Sequence, residues 1–133
     1  MRKLFDLKIC KIHKKDTISE IIITYYAIFN TFIPINKYEH FPAALYFHGI
    51  IYYEGKGVKK DINNAIHYIS MAANLDYTDA QVFLGSIYIK GNEVPRDIDK
   101  SFYYCKPAAD KNDPEAQYYL GLIYYERKNI NKA

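Results

Sequence analysis

At 133 residues the chain has about the length of one domain, which argues against a two-domain enzyme. Half of its residues are hydrophobic and a quarter charged, with six glycines and five prolines, so it can build a core and has no disordered or collagen-like bias. The net charge of +3 is local: residues 1–16 carry six Lys or Arg against Asp6 and Asp16, while the remainder is close to neutral. No basic face is broad enough to track a phosphate backbone, so nucleic acid is not the expected partner.

In chain order, residues 1–39 form a segment that does not keep the register of residues 40–133, because His13 and Asp16 fall where glycine and tyrosine would be needed. Thr17 and Glu20 have capping-box spacing, which predicts a helix near 17–30 able to cover one end of the domain. The apolar stretch 21–35 is no membrane span. It holds Thr24, Asn30 and Thr31 and is flanked by Glu20 and Lys37, where a span needs about 20 mostly apolar residues. A secretory signal does not fit either, since Lys11, Lys14, Lys15 and Asp16 push the apolar run away from the start. Cys10 and Cys105 are far apart and lack CxxC spacing, so neither a disulfide framework nor a zinc site is implied and a reducing, cytoplasmic setting is expected.

From residue 40 the chain repeats with a step of 36. Gly49, Gly85 and Gly121 are in register, as are Ala44, Ala80, Ala116; Ile51, Ile87, Ile123; and Tyr52, Tyr88, Tyr124. Asp61 matches Asp97, Tyr68 matches Tyr104, and Ala72-Ala73 match Ala108-Ala109. The units are 40–75, 76–111 and a partial 112–133. Each reads as a helix pair. First helices are predicted over 42–54, 78–90 and 114–126, opened by Pro42 or Pro114, with Thr78 and Gln81 supplying a capping box in the middle unit. Second helices are predicted over 62–74 and 98–110, capped by Asp61 and Asp97. Gly49 and Ala72 mark tight crossings of antiparallel helices, and the three repeated glycines should share equivalent surroundings.

The pattern Ala44, Gly49, Tyr52, Gly55, Gly57, Val58, Asp61, Ala65, Tyr68, Ala72, Ala73, then Ala80, Gln81, Leu84, Gly85, Tyr88, resembles the Sel-one-like repeat (SLR) family, a subclass of the tetratricopeptide-like (TPR-like) solenoids. The resemblance covers residues 40–133. It implies an all-α, right-handed α-solenoid serving as a protein–protein scaffold or adaptor. Departures are local: His48 stands for Leu84 and Leu120, Glu93 for Gly57, and Asp76 and Asn112 fill a glycine position whose left-handed backbone these residue types tolerate. Pro107 inside the fourth helix predicts a kink or irregular turn near Lys106. In the third unit residues 129–133 echo residues 61–65, so a second helix should begin just as the chain stops. That leaves Leu120, Ile123 and Tyr124 uncovered. We expect either a piece of a longer protein, such as a repeat segment of a signalling kinase, or self-association through this uncapped C-terminal face.

No catalytic constellation is present in the sequence. His13, His40, His48 and His67 have no metal-ligand spacing, Gly55-Lys56-Gly57 lacks the spacing of a phosphate loop, and Cys105 reads as core, so no enzyme, cofactor or metal is expected. Positions that vary between units should face something other than the next unit. Tyr46, Ile50 and Tyr53; Val82, Ser86 and Ile89; and Tyr118, Leu122 and Tyr125 lie at i, i+4, i+7 on each first helix. Together they propose a groove for a peptide or helix partner, the alternative being that the stripe is ordinary inter-helix core. Far-UV circular dichroism of the full chain should show dominant helix; a β-rich spectrum would defeat this reading.

Overall fold

The computed structural model describes residues 42–132, all helix and connecting turn. The segment 1–39, with its predicted helix near 17–30, lies outside the described residues. Five helices run in order: α1 (Pro42–Glu54), α2 (Ile62–Asn74), α3 (Thr78–Lys90), α4 (Ile98–Asp110) and α5 (Pro114–Lys132). They form an all-α solenoid of helix pairs, α1 with α2 and α3 with α4, and α5 closes against α4 and α3.

Local chemistry ends and restarts each helix at the repeat step. Gly55 and Gly91 adopt left-handed backbone, with φ of 68° and 67°. Their amides donate to the Ile51 and Ile87 carbonyls at 2.9 and 3.0 Å, which stops α1 and α3. A Cβ at either position would also press within 3 Å of Lys60 or Arg96. Asp61 and Asp97 then cap α2 and α4 as expected, accepting from the Asn64 and Lys100 amides at 3.0 Å. Asp76 and Asn112 carry the second turn of each unit with φ of 65° and 66°, so the left-handed positions read from the sequence are present.

Three local expectations are corrected. Thr78 does not cap α3: it is the first helical residue, at the place of Pro42 and Pro114, and Tyr77 precedes it without a side-chain cap. Gln81 instead reaches back, donating to the Ala73 carbonyl and Asp76 Oδ1 at 3.2 Å, and so ties α3 to the end of α2. Around Pro107 no irregular turn appears, and α4 runs through Lys106 to Asp110. The hydrogen bond that proline removes belongs to the Tyr103 carbonyl, on the exposed side of α4, where water can replace it. Finally, α5 does not stop near residue 126 for a new helix to start; it continues to Lys132. Its physical cause is Arg127, which stands 36 residues after Gly91 and would be strained in the left-handed turn that ends α1 and α3.

The core lies along the crossings. Ala44, Leu45, Ile69, Ala72, Ala80 and Leu84 join α1, α2 and α3 in one cluster. Val82 continues it with Ala108, Ala109 and Ala116, and Ile89 with Cys105, Tyr119 and Ile123. At the crossing of α1 with α2, a Cβ on Gly49 would overlap Ile69 and lie 2.9 Å from the Ala65 carbonyl oxygen. Gly85 meets α4 likewise: an added Cβ would overlap Cys105 Sγ, and Ser101 Oγ donates to the Gly85 carbonyl at 2.7 Å. Gly121 departs from the expected equivalence, with nothing within 4 Å of its Cβ position, because no second helix faces it among the described residues.

This contrast sets opposite signs for one substitution. Gly49→Ala and Gly85→Ala should each destabilise the chain by about 1–3 kcal/mol through overpacking, whereas Gly121→Ala should stabilise it by up to about 1 kcal/mol through helix propensity. Urea unfolding of the three variants measures this, and a loss of stability at Gly121 would contradict the open crossing.

Candidate functional site

The nine positions singled out on the first helices fall into three different environments. In α1, Tyr46, Ile50 and Tyr53 are half-buried. Tyr46 packs against Tyr77 and Phe83 with ring centroids 5.4 and 6.1 Å apart, and Tyr53 meets Phe83 edge-on at 5.1 Å. In α3, Val82, Ser86 and Ile89 are buried, and this corrects their reading as partner-facing residues. Val82 and Ile89 are covered by α4 and α5, and Ser86 turns its hydroxyl to the Phe83 carbonyl at 2.7 Å. In α5 the same stripe is open: Tyr118, Leu122 and Tyr125 are 63%, 36% and 65% exposed.

The stripe is thus the surface on which the next unit sits. Ala116, Tyr119 and Ile123 of α5 cover Val82 and Ile89, as Phe83 of α3 covers Tyr46 and Tyr53. Variation between units reflects each pair adjusting to its own neighbour, so varying positions are not by that fact binding positions. Among the described residues two further exposed tyrosines lie outside the nine: Tyr124, 51% exposed, and Tyr103, 65% exposed. Of Leu120, Ile123 and Tyr124, which the sequence expects to be uncovered, Tyr124 is, whereas Ile123 is buried with Ile89, Cys105 and Tyr119; among the described residues no second helix faces Tyr124.

Electrostatics on the first-helix side are acidic at the helix starts. A hollow of about 160 Å³ is lined by Tyr46, Val82, Phe83, Asp79, Asp113 and Glu115. Burial, and then the charge of Asp79, push the Tyr46 hydroxyl up to about 12, so it stays neutral. On the other side a wider cleft of about 800 Å³ runs along α4, past Asp76, Tyr103, Lys106 and Pro107 to Arg127. Ion pairs tie neighbouring units there and at the loops, Lys60 with Glu93 at 3.2 Å, Arg127 with Asp99 at 3.1 Å, and Arg96 with Glu126, and Lys111 joins the two ends of the middle unit by pairing with Asp76 at 3.0 Å. The Lys111 and Gln81 hydrogen bonds hold the Asp76 carboxyl below its ordinary value.

The titratable groups inside the helix pairs have structural surroundings. His48 is buried at the crossing of α1 with α2, edge-on to Tyr68 and Tyr52 at 4.4 and 5.2 Å, and burial lowers its pKa, favouring the neutral ring. Cys105 is buried beneath Gly85; burial raises its pKa despite Ser101, so the thiol stays protonated and is a poor nucleophile. Among the described residues no group of three or more His, Cys, Asp or Glu could hold a metal ion, and no helix is long and apolar enough to cross a membrane.

The deciding comparison is with protein families. The family model of the Sel1 repeat matches residues 42–77, 78–113 and 114–133, the same 36-residue step that the helix pairs keep. This chain belongs to the Sel1 repeat family. Its fold is also that of a Sel1 repeat protein from Oxalobacter formigenes, whose crystal structure aligns with a TM-score of 0.60 and 32% identity over 70% of this chain and 71% of that one. No curated protein matches the chain. Sel1 repeats are generally protein–protein interaction modules, and the proteins built from them are generally non-catalytic scaffolds.

Neutral, buried His48 gives the Sel1 stack a pH-dependent stability. Its folded pKa lies below the ordinary value of 6.5, so the unfolded chain binds more protons as pH falls through that value. The contribution is complete above about pH 6.5 and is lost on acidification toward the folded pKa. Melting temperatures measured from pH 7.5 to 5.5 should fall for the wild type and fall less for His48→Leu, which restores the residue type of Leu84 and Leu120; identical slopes would show that His48 is not the group responsible.

Proposed function

We propose that this Sel1 repeat chain is an interaction scaffold that binds a peptide or helix of a partner protein on its first-helix side, with no chemistry of its own. One observation carries the reading: Tyr118, Leu122 and Tyr125 form a single exposed stripe on α5, and two of its three residues are more than 60% exposed tyrosines. Tyrosine supplies contact area with few rotors and a polar tip, which suits recognition. Tyr46, Ile50 and Tyr53 are half-buried in α1, where Phe83 covers the two tyrosines, and Val82, Ser86 and Ile89 are buried in the middle unit, so the open part of the nine positions is the stripe of α5.

The partner is a protein rather than nucleic acid, because the repeat region carries no excess of positive charge. A reducing, cytoplasmic setting agrees with Cys105 standing as a free buried thiol. Self-association through α5 is the competing use of the same face.

Replacing Tyr118 and Tyr125 together by serine should abolish capture of partner proteins from an extract of the source cell, while far-UV circular dichroism stays unchanged because both side chains are exposed. Undiminished capture by the double variant would place the binding surface elsewhere.

A further inference from the structure

A hollow of about 330 Å³ lies where α2 meets the second unit. Asn63 and Ile66 of α2, Tyr88 of α3, Val94 and Asp97 of the loop before α4, and Lys100 of α4 line it. Both units that build it have their first and second helices in place. Asn63 and Lys100 are exposed at its rim, Ile66 and Val94 are half-buried, and Tyr88 is its deepest residue at 9% exposure. The loop is fixed over the tyrosine: the Asp97 amide donates to the Tyr88 carbonyl at 3.0 Å, and Arg96 Nε donates to the Ile89 carbonyl at 2.8 Å.

Two hydrogen-bond donors in this hollow are left unused by the chain. The Tyr88 ring stacks on Tyr104 with planes 7° from parallel, but its hydroxyl meets no hydrogen-bond partner among the described residues. Burial first, then Tyr104 and Asp97, raise its pKa, so it keeps its proton. The Lys100 ammonium lies 5.2 Å from the centre of the same ring and forms no ion pair among the described residues. In the first unit Asn64 stands at the position of Lys100 and turns its amide to Asp61 Oδ2 at 2.9 Å, so no cation is placed there. Of the other charges lining the hollow, Arg96 is paired with Glu126, and Asp97 accepts the Lys100 amide through Oδ1 as the cap of α4.

We propose that this hollow takes a glutamate side chain of a partner protein, its methylenes against Ile66 and Val94 and its carboxylate accepting from the Tyr88 hydroxyl and the Lys100 ammonium. A carboxylate brings two acceptor oxygens to two idle donors and supplies the charge that Lys100 lacks, and a buried hydroxyl without a partner favours any acceptor that reaches it. The half-buried apolar walls suit a short alkyl stem, and the exposed rim at Asn63 gives the flanking main chain a surface to lie on. This inference rests on reading the chain as an interaction scaffold, but it uses a surface built by α2, α3 and α4, apart from the stripe of Tyr118 and Tyr125 on α5.

The test titrates N-acetylglutamate methylamide, a glutamate blocked at both ends, into the isotope-labelled full chain and follows its amide NMR signals. Saturable shifts at Asn63, Val94 and Lys100 are expected. The matching blocked glutamine, of the same shape without the charge, should bind about tenfold more weakly, as should blocked glutamate to Tyr88→Phe and to Lys100→Gln, the scale of one charge-assisted hydrogen bond. Tyr88→Phe should not lower the melting temperature of the free chain, since the hydroxyl it removes has no partner there. Absent shifts, equal binding of the glutamine, or indifference to either substitution overturns the proposal. So does pentanoate that saturates the hollow while blocked glutamate does not, which would make the occupant a free acid. If the hollow fails while capture still depends on Tyr118 and Tyr125, the scaffold reading stands and only the glutamate site is lost.

Discussion

Close approach of antiparallel helices at a residue without a side chain is the contact on which the rest of this structure depends. At Gly49 and Gly85 the opposing helix comes near enough that a single added carbon would collide with it. That proximity brings Ala72 and Ala108 into the core, lets the paired tyrosines stack beside the crossing, and allows a buried serine to reach a main-chain carbonyl in the second unit. Dispersion and apolar burial act along the whole crossing once the backbones are close, and both fade quickly with separation. Glycine and alanine therefore specify the pairing more than the larger residues around them.

Stacking of one pair on the next uses different means. The inter-unit surface is built from tyrosines, valine and isoleucine on the first helices, with exposed ion pairs such as Lys60–Glu93 at the loops. Individually such exposed pairs contribute about 0–1 kcal/mol, so they align the units rather than hold them. Because each interface has its own complement, α3 can present valine and serine where α1 presents tyrosine and isoleucine. Enclosed on both sides, α3 is the most deeply buried helix of the five described.

Much of the fold was legible in the sequence because the repeat offered three parallel readings of one motif. Helix positions, the aspartate caps at Asp61 and Asp97 and the left-handed turns at Asp76 and Asn112 all came from residue types whose backbone preferences are strong. The errors arose where local signals were weighed without their neighbours. Thr78 and Gln81 have capping-box spacing, but Gln81 finds better acceptors at the end of α2. The echo of residues 61–65 in 129–133 could not start a helix, because the turn before it needs a left-handed residue and Arg127 stands there. The binding face was only half legible: i, i+4, i+7 spacing put nine residues on one stripe but did not tell a stripe facing solvent from one facing the next unit. That distinction depends on where the stack ends.

The run of α5 through Arg127 also shapes the outline of the molecule. By the usual rise of about 1.5 Å per residue, the six residues from 127 to 132 carry the rod about 9 Å past the level at which α1 and α3 turn back. Among the described residues the last rod therefore overhangs the level at which the first two units fold back, and its final six residues have no counterpart in α1 or α3.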